Sequence, residues 1–320
     1  MAEQPKHVQP RHNQTLLGTT LICSALSTVL LVAAAYAGSV GAFLHVFLAV
    51  PLVIAGYTAG IMAAVLVLLV SLGVQFATAG GAAFLLYLAQ IGLPGVCLVC
   101  ALRHNVGWPR AVFYALLVGG TAVATLAIIT AYMADSNVSA LVANYIDAEM
   151  EQIHAVYNQA GIEGQQLKEL VAVVEATASF LKRAYAGITI AALGLVYLVT
   201  VVVLYTVGRG RFTLPGIAFH NFKIAEPAIW ILIGAGFSLL LPMVWLKIAA
   251  LNVLTVLLPL YFIQGIAIVA FYFRKKAFSF LARLFAYTIV LVINPLPLIV
   301  TALGIFDLWF DFRKPRVKTT

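Results

Sequence analysis

The sequence predicts an all-α fold, a polytopic transmembrane helical bundle of about eight to nine spans that carries an extracytoplasmic helical hairpin. Of the 320 residues, 63% are hydrophobic and 9% are charged, whereas a soluble domain has about 45–50% apolar and about 25% charged residues. The run from His12 to Leu102 contains no Asp, Glu, Lys or Arg, and about 20 apolar residues suffice for one span. Since lipid offers the backbone no hydrogen bonds, such runs must be helical.

The apolar runs define nine predicted spans. The first follows Lys6 and Arg11 and is interpreted as an uncleaved span, because it is longer than the apolar region of a signal peptide and further spans follow. The second is short and is expected to be tilted, broken or partly interfacial. The predicted bounds are about 15–37, 40–55, 58–77, 82–102, 109–133, 185–207, 228–246, 249–273 and 284–306.

Lys and Arg in short loops predict the orientation, because these residues favour the cytoplasmic side. They place the N-terminus in the cytoplasm and the acid-rich stretch Asp135–Gly187 outside. The last predicted span is ambiguous, since two prolines interrupt "INPLPL" (Ile293 to Leu298). Nine spans with the C-terminal end outside is the favoured interpretation. A re-entrant element that returns to the cytoplasmic side is the alternative.

Three regions follow from this pattern: N-terminal transmembrane helices (1–133), an extracytoplasmic amphipathic helical insertion (134–186), and C-terminal transmembrane helices with an amphipathic aromatic tail (187–320). Within the insertion, apolar residues at helical spacing predict helices over Val138–Asn158 and Gln165–Ala184. This hairpin is either a lid or partner surface, or a connector that lies on the membrane.

The residue patterns indicate no catalytic constellation and no cofactor, so the chain is not expected to be an enzyme. The net charge of +8 comes largely from bases in short loops, which orientation explains, so no nucleic-acid partner is predicted. Cys97, Cys100 and His104 form a C-x2-C-x3-H pattern. A structural zinc ion needs four ligands, so we predict no metal site there.

Polar side chains within spans are candidate functional positions, because they are costly in lipid. Asn252 and Gln264 lie on one predicted span, about 18 Å apart along its axis, and are therefore not expected to share a site. The structural alternative for each is an interhelical hydrogen bond.

The tail "GIFDLWFDFRK" (Gly304 to Lys314) supplies the remaining candidates, Asp307, Asp311 and Arg313. On a helical wheel its aromatic residues fill one arc, and Asp307, Asp311 and Lys314 cluster opposite. This is typical of an amphipathic helix at the membrane boundary. We expect Asp307, Asp311 or Arg313 to make a specific polar contact with another loop of this chain or with a partner.

Small residues recur at every fourth position in the third predicted span. Such stripes let helices approach closely, either inside the protein or against another membrane subunit. The candidate helix-docking stripe consists of Ala55, Gly56, Ala59, Gly60, Ala63 and Ala64.

The C-terminal half resembles the YybS-like family of uncharacterised bacterial polytopic membrane proteins, a "predicted membrane protein" family. The resemblance rests on Phe222 with Pro227 and Trp230, on Asn252, on "LYFIQG" (Leu260 to Gly265) and on the tail. The stretch "VPLVIAGYTAG" (Val50 to Gly60) is weakly similar to the substrate-binding components of energy-coupling-factor transporters. Those components dock a coupling subunit through an A-x-x-x-A stripe on their first span and usually have six spans, and both features differ here.

The resemblance implies a multi-pass protein of the bacterial inner (cytoplasmic) membrane. The family has no established activity. The small-residue stripes, the intramembrane Asn and Gln side chains and the weak transporter similarity favour a small-solute-binding or transport component, with the lipid bilayer, a membrane protein partner and a small-molecule ligand as expected partners. The alternative is a membrane scaffold or assembly factor for another envelope complex. A membrane enzyme that uses Asp307 and Asp311 is the third hypothesis.

Overall fold

The structure is a computed structural model that describes residues 14–159, 164–208 and 212–313. Within these ranges it contains helices and no strand, which confirms the all-α prediction. A π-helical segment covers Leu88–Gly92 and a 3-10 turn covers Phe219–Asn221. The helices are α1 (Gln14–Tyr36), α2 (Ser39–His45), α3 (Val50–Ala59), α4 (Ile61–Tyr87), α5 (Leu93–Arg103), α6 (Trp108–Met133), α7 (Val138–Gln159), α8 (Gly164–Val207), α9 (Pro227–Ser238), α10 (Val244–Lys275), α11 (Phe280–Val292) and α12 (Leu296–Phe310).

Five helical stretches among the described residues are long and apolar enough to cross a membrane, and the bent pair α11 and α12 could supply a sixth. The count of eight to nine spans therefore stays a prediction. The run predicted as 40–55 is divided between α2 and α3, and the run predicted as 228–246 ends as a helix at Ser238. The stretches are Leu16–Tyr36, Ile61–Arg103, Trp108–Met133, Gly164–Val207 and Val244–Lys275.

The 43-residue stretch Ile61–Arg103 is not one straight helix, because the chain turns back at Gly80. Gly80 has φ 79° and ψ −173°, a conformation that glycine adopts at no steric cost. A Cβ added to Gly92 would lie 2.8 Å from a Leu68 methyl group, although a straight helix would separate these residues by about 36 Å. Two antiparallel segments therefore meet at Gly80, in the gap predicted between residues 77 and 82.

The chain divides into two compact units. Unit 1 comprises Met1–Val138 and Ala192–Gly216, and unit 2 comprises Ser139–Ala191 and Ile217–Thr320. Helix α8 contributes its first part to unit 2 and its last part to unit 1, so the units are composed differently from the three regions predicted from sequence.

In unit 1 a tyrosine compensates for a proline within the α5 region. Pro94 has no N–H, so the Gln90 carbonyl loses the donor that a regular helix would supply, and the backbone there is π-helical. The buried Tyr197 hydroxyl donates a hydrogen bond to the Gln90 carbonyl at 2.8 Å. Gly119 leaves room for that hydroxyl, because a Cβ would collide with it.

The small-residue stripe also lies in unit 1 and is divided between two helices. Gly60 has φ 109° and separates α3 from α4, so the four-residue spacing does not produce one helical face. Ala55, Gly56, Ala63 and Ala64 are buried within the chain, whereas Ala59 and Gly60 are half-buried. The four buried residues therefore serve packing inside unit 1.

The predicted outer hairpin consists of α7 and the first part of α8, with bounds close to those predicted. The 44 residues of α8 form one continuous helix, so the second hairpin helix extends the sixth predicted span. Ser139 and Tyr185 hydroxyl groups lie 3.3 Å apart, and Lys182 forms an ion pair with Asp147. These contacts join the two helices as an antiparallel pair within unit 2.

Candidate functional site

Gln264, Asp307 and Arg313, called here the C-terminal polar cluster, form the most buried polar group in unit 2 among the described residues. Gln264 and Asp307 are 2% and 0% exposed, and the Arg313 side chain is 10% exposed. They come from α10, from α12 and from the segment after α12. Asp307 and Arg313 form an ion pair, so the buried carboxylate has the partner that burial of a charge requires.

A pair of glycines brings α10 and α12 close enough to form the cluster. A Cβ on Gly265 would collide with the Val300 carbonyl, and a Cβ on Gly304 would collide with the Tyr261 carbonyl. Small residues of this kind permit close backbone approach between membrane helices. As a result, the Gln264 amide nitrogen donates to the Gly304 carbonyl at 3.0 Å and to Asp307 Oδ2 at 3.3 Å.

The cluster satisfies backbone groups of a non-helical segment that lies beside α10. Gln264 Oε1 accepts a hydrogen bond from Ile224 N–H at 2.7 Å. One Arg313 nitrogen donates to the His220 and Phe222 carbonyls at 3.3 and 2.8 Å. In a membrane, irregular backbone is tolerated only where protein or water covers it. The cluster is therefore a structural closure, built from side chains that replace the missing helical hydrogen bonds.

These contacts confirm the prediction that the tail contacts another loop of the chain. The predicted helical face shared by Asp307, Asp311 and Lys314 is not observed. Helix α12 ends at Phe310, and Asp311 adopts a left-handed conformation with φ 39°. Asp311 therefore does not continue the helical face of Asp307, and Asp307 pairs with Arg313 inside the protein. Lys314, the predicted partner on that face, lies outside the described residues. The aromatic side chains Trp309 and Phe310 are exposed, at 54% and 68%.

Hydrogen bonds between α10 and the C-terminal part of α12 show at which end of α10 the tail lies. The Gln264 amide contacts Gly304 and Asp307, and further along both helices the Tyr272 hydroxyl donates to the Phe312 carbonyl at 2.6 Å. The tail is thus at the end of α10 that carries Arg274 and Lys275. Because α11 also starts at that end, α11 and α12 enter and leave on one side.

This geometry favours the re-entrant alternative over a ninth full span, and the choice between them stays a prediction. The prolines stop the helix at Val292 and it resumes at Leu296, with a change of direction of 101°. Lys223, Arg274, Lys275, Lys276 and Arg313 then belong to one end of unit 2, which agrees with the charge rule for the cytoplasmic side. The assignment of that side stays a prediction, and Lys6, Arg11, Arg209 and Arg211 lie outside the described residues.

His220 is the titratable group beside the cluster, in the loop before α9. Its ring lies 6.5 Å from that of Phe271. Burial lowers the pKa of His220, and the positive charges of Arg274 and Arg313 lower it further. Its imidazole is therefore held neutral over a wider range of pH than an exposed histidine.

Asn252 contacts a different region, as its separation from Gln264 predicted. Its side-chain nitrogen donates to the Arg183 and Ile248 carbonyls at 2.8 Å, and its oxygen accepts from Gly187 N–H at 2.6 Å. The Arg183 carbonyl and the Gly187 N–H are the two backbone groups that close one turn of α8. Asn252 thus ties the N-terminal part of α10 to the hairpin.

The hairpin holds a cleft of about 440 Å³ that sequence reasoning missed. It lies between α7 and α8, and its lining combines two acids, two bases and one histidine. The sequence contained part of the evidence for this cleft, namely one polar face on each of the two helices. On α7 the face consists of Asp147, Met150 and His154, and on α8 it consists of Glu175, Ser179 and Lys182. The lining residues are Asp147, Met150, His154, Glu175, Ala178, Ser179, Lys182 and Arg183.

Among the described residues, no group of three or more His, Cys, Asp or Glu side chains is placed to hold a metal ion. Cys97 and Cys100 are half-buried on α5 and are free thiols. The two polar arrangements that the structure presents are therefore a closed cluster of satisfied groups and an open cleft of mixed charge.

Residues 25–308 match the family described as Predicted membrane protein (DUF2232). The matched region includes the hairpin, Asn252, Gln264 and Asp307. No curated protein matches the chain, and no solved structure matches it.

Proposed function

Because this chain belongs to the family described as Predicted membrane protein (DUF2232), an integral membrane protein family, we propose that it is a solute-binding component of a membrane whose ligand site is the cleft in the outer hairpin. The observation that carries this proposal is the mixed-charge lining of that cleft. The proposal assigns no catalytic step to the chain.

The candidate polar residues within the apolar helices are unsuited to a ligand, because their hydrogen-bonding capacity is used inside the chain. The Gln264 amide donates to Gly304 and Asp307 and accepts from Ile224. Asn252 likewise uses both its nitrogen and its oxygen. A solute that replaced these contacts would leave backbone groups unsatisfied, which costs about 1–3 kcal/mol for each group.

The cleft, in contrast, has space for a small molecule and charged side chains that can bind it. Its volume lies within the range of about 300–1,000 Å³ that is typical of small-molecule sites. Asp147 and Glu175 can bind a cationic group, and Lys182 and Arg183 can bind an anionic group. This lining favours a small solute that carries both charges, such as an amino-acid zwitterion.

The ion pair across the cleft presents little obstacle to such a ligand. The Lys182 and Asp147 side chains are 32% and 58% exposed, and exposed ion pairs contribute about 0–1 kcal/mol. A zwitterion can therefore replace each partner of the pair with its own charged group at low cost.

The position of the cleft supports a role that communicates with the membrane. Arg183 lines the cleft, and its carbonyl accepts a hydrogen bond from Asn252 on α10. Helix α8 continues from the cleft to Val207 without interruption. A ligand that draws α7 and α8 together would act directly on a membrane-spanning helix, which supports binding coupled to transport.

Thermal-shift and isothermal titration measurements on the purified full chain test the proposal. A panel of amino acids should include zwitterions together with their amides and N-acetyl derivatives, which lack one charge. We expect binding by zwitterions and at least tenfold weaker binding by either derivative. Lys182→Ala should abolish the response, whereas Lys168→Ala should preserve it, because Lys168 is exposed on the same helix but does not line the cleft.

Equal responses of the Lys182→Ala and Lys168→Ala proteins would refute the cleft as the ligand site. If no solute binds and a different membrane protein co-purifies in mild detergent, the scaffold or assembly function becomes the better account.

A further inference from the structure

The cleft between α7 and α8 has two ends that differ in charge, because the two helices pair in antiparallel directions. Lys182 and Asp147 form an ion pair across the cleft, and this pair fixes the register of the helices at that point. His154 lies seven residues after Asp147 on α7, and Glu175 lies seven residues before Lys182 on α8. His154 and Glu175 therefore lie level with each other, about two helical turns along the cleft from the ion pair.

The two ends are opposite in sign. The Lys182 end contains Lys182, Arg183 and Asp147, so bases outnumber acids there. The Glu175 end contains Glu175 and His154, where the carboxylate supplies a negative charge and a neutral imidazole adds a hydrogen-bond acceptor. The cleft is therefore complementary to a solute whose carboxylate lies at the Lys182 end and whose ammonium group lies at the Glu175 end.

The separation of the two ends determines the length of such a solute. Each helical residue advances about 1.5 Å, so the seven positions from Glu175 to Lys182 correspond to about 10 Å. The two charges of a free amino acid belong to one residue, which spans at most about 3.5 Å. An extended chain of three residues spans at most about 10 Å. A tripeptide therefore matches the distance between the ends, whereas a free amino acid can occupy the Lys182 end alone.

The lining between the two ends also suits a peptide. Ala178 is buried, Met150 is half-buried and Ser179 is exposed. Ala178 and Met150 offer apolar contact, and the Ser179 hydroxyl can donate a hydrogen bond to a peptide carbonyl or accept one from a peptide N–H. These three residues are uncharged, as is the middle of a peptide whose side chains carry no charge.

We propose that the cleft is a peptide-binding site that takes a zwitterion about three residues long, with its carboxylate at the Lys182 end and its ammonium group at the Glu175 end. This inference rests on the solute site proposed above and specifies the class of its solute. It assigns to Glu175 the selection of length, because a solute bound at Lys182 contacts Glu175 only if its two charges are about 10 Å apart.

Isothermal titration of the purified full chain with glycine, triglycine and pentaglycine tests this length preference. We expect triglycine to bind about fivefold more tightly than glycine, the effect of one additional exposed charge contact. Pentaglycine should bind more weakly than triglycine, because its two charges cannot contact both ends in an extended conformation. An ω-amino acid with the chain length of triglycine should also bind more tightly than glycine. Its failure to do so would show that the spacing of the charges is not what the cleft recognises.

Variants separate the length preference from the solute site itself. Glu175→Gln should reduce the preference for triglycine over glycine from about fivefold to less than about twofold. Glu169→Gln is the matched control and should preserve the preference, because Glu169 is exposed on the same helix but does not line the cleft.

Two outcomes distinguish failure of the length inference from failure of the solute site. If glycine and triglycine both bind and Lys182→Ala abolishes both responses, but Glu175→Gln keeps the full preference or the unaltered chain shows none, the peptide assignment is overturned and the solute site stands. If no member of the series binds, the proposed solute site and the peptide assignment are both overturned.

Discussion

The buried ion pair between Asp307 and Arg313 leads to a quantitative prediction for the C-terminal polar cluster. Asp307→Ala removes the acceptor for Arg313, for the Gln264 amide and for the Phe312 N–H. Asp307 is 0% exposed and the Arg313 side chain is 10% exposed, so water cannot readily replace the carboxylate.

The expected loss follows from what the substitution leaves behind. Breaking a buried ion pair by removal of one partner costs about 3–5 kcal/mol, because the other charge stays buried without compensation. We expect the free energy of unfolding of Asp307→Ala to fall by about that amount. Asp307→Asn keeps an acceptor for Phe312 but loses the charge, so its loss should be smaller.

Unfolding by sodium dodecyl sulfate in mixed micelles, followed by intrinsic fluorescence, measures these differences. The double variant Asp307→Leu with Arg313→Met is the internal control, since it removes both charges and replaces them with apolar groups. It should recover part of the lost free energy of unfolding. The part that is not recovered measures the cost of leaving the His220 and Phe222 carbonyls without their Arg313 hydrogen bonds. A loss below about 1 kcal/mol for Asp307→Ala, or a double variant less stable than the sum of the single variants, would refute the closure.

Three further predictions follow from unit 2. Gly304→Ala should destabilise the protein by about 1–3 kcal/mol in the same assay, because its Cβ would collide with the Tyr261 backbone, whereas Gly236→Ala should be neutral, since nothing lies within 4 Å of its Cβ. A reporter fused after the last residue should be active only as a cytoplasmic reporter, and activity of a periplasmic reporter there would contradict the re-entrant geometry. The lowered pKa of His220 means that the unfolded chain takes up the proton first as the pH falls, so stability should decline from about pH 6.5 down to the pKa of the folded protein. His220→Gln should remove that part of the decline in thermal stability, and an unchanged profile would show that another group causes it.

Much of the candidate site could be predicted as a set of residues but not as an arrangement. Gln264, Asp307 and Arg313 were identified one by one, because a polar group among apolar residues is visible in the sequence. Their assembly into one cluster depends on the contact between Gly265 and Gly304, which lie about 40 positions apart in the sequence. The cleft was missed for the same reason, since its acids and bases lie on two helices whose register is set by the pairing of α7 with α8.

The stripe of small residues illustrates the opposite case, in which a local pattern misled. A four-residue period produces one face only on an unbroken helix, and the positive φ of Gly60 separates the two helices that carry the stripe. Glycine permits such a conformation but does not require it, so the break could not be derived from the residue alone.

The sequence by itself determined that the chain is an all-α membrane protein, where its long apolar helices lie, and that its acid-rich segment forms a helical hairpin. These properties depend on hydrophobicity and periodicity, which act on neighbouring residues along the chain. Only the tertiary structure decided that α12 packs against α10 and that the tail lies at the Lys275 end of that helix. The two prolines show that the last apolar run breaks, but its direction after the break depends on the helix against which it packs. The Gly265–Gly304 contact and the Gln264–Asp307 hydrogen bond provide that packing.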